Sequence, residues 1–215
     1  MKDYDAYLFD WDGTLARTLE IWLDVLYEQY QVYGLQKITR VENAHNFGDL
    51  RACLRYGLPE EKLEEFIDVT DKEAWVRLPG VLLYDDVKPM LNHLKARNKK
   101  LALVTTAWQK TLDLTIGSHG IKELFDVIVV SEHVARHKPD PEGINIVLQK
   151  LGVPAGRALM IGDSEKDLAA AKNAGVDSLL FYPSAHEIIY NLDHLLAHDP
   201  KYTIRAWKDM IDQLQ

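Results

Sequence analysis

The sequence predicts an α/β protein, a Rossmann-like doubly wound parallel sheet with an all-helical unit inserted after its first strand. From residue 87 onward, short apolar runs alternate with helical patterns of about ten residues, as strands joined in parallel by crossover helices do. Ahead of that, residues 16–78 hold only helical periodicity, between a strand-like run at Ala6 to Phe9 and the breaker Pro79-Gly80.

Ala6 to Phe9 is apolar throughout and ends in Asp10-Trp11-Asp12-Gly13, which fits a core strand opening into a loop at its C-terminal end. Leu19, Trp22, Val25, Leu26, Gln29, Tyr30 and Tyr33 then keep close to helical spacing, and Gly34 ends the run. A short helix is expected around Leu50, Cys53 and Leu54, stopped by Gly57. Pro59 suits a first helical position, followed by Leu63, Phe66 and Ile67 on one face. Val87, Met90, Leu91 and Leu94 mark a helix closing near Asn98, before the strand Leu101 to Thr105. A strand at Asp126 to Val130 follows the Gly117 to Gly120 turn. Then come a helix at Pro141 to Leu151, a strand at Ala158 to Ile161, a helix at Glu165 to Asn173 and a strand at Ser178 to Phe181. The tail predicts helices at Ile188 to Leu196 and Arg205 to Leu214, the latter packing Trp207, Ile211 and Leu214 on the sheet. The expected division is a core of residues 1–15 and 79–215 and a helical cap of residues 16–78.

With 215 residues and 47% hydrophobic content the chain holds one sizeable core and a smaller module. A net charge of -8, with Lys99-Lys100 the only adjacent basic pair, argues against nonspecific nucleic-acid binding. Cys53 is the single cysteine, so no intrachain disulfide forms. There is no signal-like N-terminal segment and no apolar run near the roughly 20 residues that span a bilayer, so a cytoplasmic location without membrane contact is expected.

The predicted topology brings the strand ends to one crevice. Strand one delivers Asp10 and Asp12, strand two Thr105 and Thr106, and the fourth strand Asp163, with Asp167 a helical turn beyond. Lys138 comes from the loop after strand three, beside Pro139 and Pro141. Close carboxylates repel, and a cationic side chain or a hard ion such as Mg2+ relieves the repulsion. Phosphoryl transfer explains each residue type: a carboxylate nucleophile, a second carboxylate as acid and base, and a hydroxyl and an ammonium for the transferring oxygens.

In order and spacing, Asp10-Trp11-Asp12-Gly13-Thr14-Leu15, Thr105, Lys138-Pro139-Asp140-Pro141 and Gly162-Asp163-Ser164-Glu165-Lys166-Asp167 resemble the four motifs of the haloacid dehalogenase superfamily. The helical insertion directly after the first motif looks like the small cap of the phosphoglycolate phosphatase and β-phosphoglucomutase branch. The resemblance implies Asp10 as nucleophile, Asp12 as general acid and base, and Thr105 and Lys138 as phosphoryl ligands. It further implies Mg2+ held by Asp10, Asp163 and the Asp12 backbone carbonyl, with Asp167 orienting Lys138 or the metal's waters. An acid at Asp12 favours phosphate esters over haloacids. Ala16-Arg17-Thr18 and Thr106-Ala107 depart from the residues common in relatives, at positions that face substrate there.

The expected activity is that of a Mg2+-dependent phosphatase acting on a small phosphorylated metabolite, as a monomer or weak homodimer. A sugar-phosphate mutase would use the same Asp10 and Asp12, and a phospho-accepting signalling domain is a more distant alternative. Thr106 and Arg17, beside the first hinge, are the expected substrate contacts, with His45, Asn46, Arg51 and Arg77 as further cap candidates. Trp22, Tyr30, Phe66 and Trp75 are expected in the cap core, and His133 and His137 as packing residues of the loop around Lys138.

Overall fold

The computed structural model describes residues 1–35, 37–47, 49 and 51–214. Strands β1 (Ala6–Phe9), β2 (Lys100–Val104), β3 (Val127–Val129), β4 (Ala158–Gly162), β5 (Asp177–Phe181) and β6 (Tyr202–Ile204) form one six-stranded parallel sheet, in the order β3-β2-β1-β4-β5-β6. Phe9 pairs in register with Leu103 on one side and Ile161 on the other. The chain leaves β1 for β2 on one side and reaches β4 on the other, so the tip of β1 is the switch point where such sheets open a crevice.

The central strands β1 and β4 are buried along their whole length because helices cover both faces. Alternation divides the side chains by size. Tyr7, Phe9, Leu103 and Ile161 face one side, against α5 (Val87–Ala96), α6 (Gln109–Ile116) and α10 (Trp207–Gln213). Ala6, Leu8, Ala102 and Ala158 face the other, where α7 (Glu142–Leu151) brings Ile144 and Val147, and α8 (Glu165–Asn173) brings Ala170 and Ala171. Small residues on both partners let α8 lie close to the sheet.

The helical insertion between β1 and β2 consists of α1 (Thr18–Val32), α2 (Arg40–His45), α3 (Ala52–Arg55) and α4 (Leu63–Arg77). It has its own apolar cluster, including Leu26, Ile38, Cys53 and Leu63, in which Tyr30 and Phe66 stack at 5.6 Å. The outgoing and returning chains run side by side: Arg17 N donates to Leu82 O at 2.9 Å and Tyr84 N to Leu15 O at 3.0 Å.

Several elements differ from the sequence expectation. Helix α2 has too short an apolar pattern to register, and it begins because Thr39 and Glu42 cap each other. The expected helix around Leu50 is α3, which carries Cys53 and Leu54; Leu50 itself lies outside the described residues. Pro59 precedes a 3-10 turn, Glu60–Lys62, rather than starting the long helix. The expected helix Ile188 to Leu196 is divided into a 3-10 turn, Ser184–Ile188, and α9 (Leu192–Leu196), because the Asn191 side chain accepts from His194 N at 3.0 Å and caps a new start. Strand β6 was not anticipated. Three residues are too few to show alternation, and Lys201 N to Ser178 O at 3.0 Å adds it to the sheet edge.

Trp207, 1% exposed, stacks on Phe181 at 4.8 Å and tilts against Phe9 at 5.9 Å, tying α10 to the middle of the sheet. Trp207→Ala is expected to lower unfolding stability by about 3–5 kcal/mol in a urea titration, and Trp207→Phe by much less. A loss of under about 1 kcal/mol in the alanine variant would show that the stack does not anchor α10.

Candidate active site

At the tip of β1, Asp10 N donates to Ile161 O at 2.9 Å, which continues the strand pairing by one residue and directs the Asp10 side chain into the crevice between β2 and β4. Gly13 follows with φ +75°. A Cβ there would lie 2.6 Å from Asp163 Oδ2, so the turn needs glycine both for its backbone and for the approach of that carboxylate. Gly162 is equally constrained, since a Cβ would meet the Asp167 side chain at 2.3 Å.

These turns bring Asp10, Asp163 and Asp167, all buried, into one cluster whose carboxylate oxygens lie within 4.8 Å of one another. Lys138, reached through a loop with a cis Lys138-Pro139 bond, places its ammonium among them. Lys138 Nζ donates to Asp167 Oδ1 at 2.5 Å and to Val104 O at 3.0 Å, and lies 2.8 Å from Asp10 Oδ1 without hydrogen-bond alignment. Asp167 Oδ2 accepts from Ser164 N at 3.1 Å and Ser164 Oγ at 2.6 Å, so both of its oxygens are engaged. Asp163 Oδ1 accepts from Thr14 Oγ1 at 2.9 Å, while Asp163 Oδ2 and Asp10 Oδ1 are buried without a hydrogen bond.

Burial pushes the Asp10 carboxyl up to about 7, against the pull of Lys138 and with the repulsion of Asp167 and Asp12 added. Asp163 is raised by burial and by Asp167 and Asp10. Asp12 is raised chiefly by burial, which the neighbouring Thr18 hydroxyl opposes. Burial would lower Lys138, but the facing Asp10 and Asp167 outweigh it and hold the ammonium above its ordinary value. An all-oxygen donor set with unsatisfied buried oxygens on Asp10 and Asp163 fits a hard divalent cation.

The crevice opens into a cleft of about 690 Å³ between sheet and insertion. Asp10, Asp12, Thr106 and Asp163 line it. Thr105 is buried beside it: its Oγ1 accepts from Ala107 N at 3.0 Å, and it shares a small adjoining recess with Lys138 and Thr106. Arg17 is not among the lining residues. Its guanidinium pairs with Glu20 at 2.9 Å and lies over the Tyr84 ring. The other cap candidates are also turned elsewhere: Arg51 pairs with Glu60, Arg77 with Glu28, Asn46 bonds Tyr56, and His45 does not line the cleft. His133 does serve its loop, its Nδ1 accepting from Val130 N.

The insertion instead contributes Leu19, Trp22 and Phe47, and the loop after β2 contributes Trp108. Trp22, expected in the cap core, lies on the edge of the broad apolar face of α1 that looks into the cleft, whereas Tyr30 and Phe66 are buried as expected. Trp75 lies under the Lys110 ammonium at 4.5 Å rather than in the cap core. The sequence signal for Trp108 is its place just past a strand tip, although it is 63% exposed. His186 was also missed. It is buried behind Asp163, Nδ1 to Oδ2 3.9 Å, with Nε2 2.9 Å from the Tyr84 hydroxyl, and burial lowers it to about 4, so it is neutral near pH 7.

The family model for haloacid dehalogenase-like hydrolases matches residues 7–181. The chain belongs to that family. Within it, a pyrophosphatase PpaX of Halalkalibacterium halodurans is 28% identical over 211 residues, 98% of this chain and 96% of that one. Among solved structures, a haloacid dehalogenase family hydrolase of Deinococcus radiodurans with bound phosphate and sodium superposes with a TM-score of 0.87 at 23% identity, over 98% of this chain and 95% of that one. A predicted phosphoglycolate phosphatase of Haemophilus somnus gives 0.82 at 22% identity over 100% of both chains. This haloacid dehalogenase-like hydrolase therefore shares the fold of its relatives from end to end, helical insertion included. Membership in a family of hydrolases supports an enzyme over a signalling domain that accepts phosphate without turnover.

In the ion-free protein Asp10 holds its proton to about pH 7, against about 4 when unfolded, so the folded chain binds the extra proton between those values. The stability it contributes is full at low pH and is lost as pH rises through about 7. Asp10→Asn, which does not ionise, is expected to be more stable than the parent at pH 8 in chelator, on the order of 2 kcal/mol, with the gap closing towards pH 4. Urea unfolding at both pH values checks this, and a gap that does not change with pH would show that Asp10 carries no such shift.

Proposed function

We propose that this hydrolase is a Mg2+-dependent phosphatase that cleaves a small phosphorylated metabolite through an aspartyl-phosphate on Asp10. The observation that carries the reading is the buried Lys138 ammonium held between Asp10 and Asp167, beside the unsatisfied oxygens of Asp10 and Asp163, at the end of the cleft. A buried cation beside an electron-rich carboxylate suits a group that is itself anionic and must receive charge in the transition state.

An Asp10 carboxylate oxygen attacks phosphorus as the ester oxygen leaves, and Asp12 donates a proton to that oxygen, releasing the alcohol. Asp12, now ionised, takes a proton from water. The water oxygen attacks the acyl phosphate and restores Asp10, releasing inorganic phosphate. The upward shift of Asp12 suits its start as an acid. Lys138 and the Thr105 hydroxyl are assigned to the non-bridging oxygens, and Asp167 positions Lys138. Asp10, Asp163 and the Asp12 carbonyl would hold Mg2+, whose charge neutralises these acids and favours a dianionic substrate.

We take residues 16–78 as a lid over this cleft. Trp22, Phe47 and Trp108 line the same cleft as Asp10, Asp12 and Asp163, and this aromatic surface favours an organic leaving group over inorganic pyrophosphate.

The test is phosphate release from a panel of phosphorylated metabolites, pyrophosphate and an aryl phosphate, with Mg2+ or chelator, in the parent and in Asp10→Asn. Mg2+-dependent release that falls by about 10³-fold or more in the variant is expected. Retained turnover in Asp10→Asn would refute the nucleophile assignment, and no phosphate release from any substrate by the folded parent would transfer the reading to a mutase, assayed as isomerisation with a sugar bisphosphate primer. On the best ester, Trp22→Ala is expected to raise KM about tenfold with kcat changed far less, as loss of uniform binding does. An unchanged KM would place the leaving group elsewhere.

A further inference from the structure

We propose a second metal site at the mouth of the cleft, in which Glu165, His194 and His198 bind one divalent transition ion of the Zn2+ class. One ligand atom from each lies within 4.8 Å of the others. Glu165 Oε2 is 2.7 Å from His194 Nε2 and 4.0 Å from His198 Nε2, and the two imidazole rings are 5.7 Å apart. Two nitrogens and a carboxylate oxygen around one point form the donor set that Zn2+ takes with bonds of about 2.0–2.2 Å.

The backbone sets this arrangement. Glu165 is the first residue of α8, whose start is held by the Ser164 to Asp167 hydrogen bonds. His194 sits in α9, whose start is held by the Asn191 cap, and His198 follows four residues later, so both imidazoles lie on the side that faces Glu165. The side chains of His194 and Glu165 are 64% and 52% exposed, so contraction around an ion needs only rotation about side-chain bonds and no repacking. Drawing three such groups together without a cation orders them with little electrostatic return, since exposed pairs contribute about 0–1 kcal/mol.

The two clusters differ in chemistry. The buried acids offer only oxygen, which suits Mg2+, whereas imidazole nitrogen favours Zn2+, Co2+ or Ni2+. The sites therefore sort metals by donor type although Glu165 is two residues from Asp163. Glu165 and His194 line the cleft beside Lys166 and Asn191, and His198 does not, so an ion here joins α8 to α9 at the cleft entrance.

The test titrates Zn2+ by calorimetry into the parent, His198→Ala and Glu165→Gln, each with excess Mg2+ present so that the buried acids are occupied, and repeats it with Co2+ by visible absorption. The expected result is one equivalent of Zn2+ in the parent, bound at least about tenfold more weakly in both variants, and Co2+ ligand-field bands that His198→Ala loses. Circular dichroism confirms that the variants remain folded. Zn2+ affinity unchanged in His198→Ala, or absence of one-equivalent Zn2+ binding in the parent under excess Mg2+, would overturn the proposal.

Discussion

The structure around the crevice depends on one buried charge imbalance: Asp10, Asp163 and Asp167 lie together, and among the described residues the one ammonium paired within the cluster, that of Lys138, meets Asp10 and Asp167. Burying carboxylates costs several kcal/mol each unless cations or hydrogen bonds answer them. The fold supplies a partial answer. Asp167 is fully engaged, by Lys138 on one oxygen and Ser164 on the other. Burial, with the repulsion of neighbouring acids added, holds Asp10 and Asp163 above their ordinary range, and Asp163 keeps an oxygen without a hydrogen bond. The site is thus least comfortable without a cation, which is a sound design for binding one.

The scaffold tolerates this strain because the sheet beneath is over-determined. Large aromatic side chains pack on one face, where Phe9, Phe181 and Trp207 meet, while Ala6, Ala102 and Ala158 stand among the smaller set on the other. Rigid strands hold Asp10 and Asp163 on adjacent tips, and the two glycines at Gly13 and Gly162 allow the carboxylates to approach closer than any side chain would permit. The placement of the acids is a consequence of main-chain pairing rather than of contacts among the acids themselves.

The helical insertion is built on different terms. Its own small core leaves one edge of α1 uncommitted, and Leu19 and Trp22 on that edge turn to the cleft with Phe47. Its arginines are spent on neighbouring carboxylates, as Arg17 is on Glu20 and Arg77 on Glu28. The surface this side offers the cleft is therefore mainly apolar and aromatic, while charge is concentrated at the strand tips.

The order of strands and helices was legible in the sequence because apolar periodicity is a local property, and the core strands keep it without interruption. The acids, the lysine and the threonine were legible for the same reason: each stands just past a periodic run or in a loop bounded by prolines, so topology alone carries it to the crevice. Two short elements, β6 and α2, were not, since they depend on caps and edge pairing more than on pattern. The sequence could not decide which edge of α1 faces the cleft, that Arg17 pairs with Glu20, that His186 stands behind Asp163, or that His194 meets Glu165 across 29 residues. Those are outcomes of packing between elements, where a side chain's partner is set by distance in space. The sequence by itself determined which chemical groups this protein carries and on which strand ends; the tertiary structure alone decided what each group touches, because burial and pairing exist only once the layers have closed.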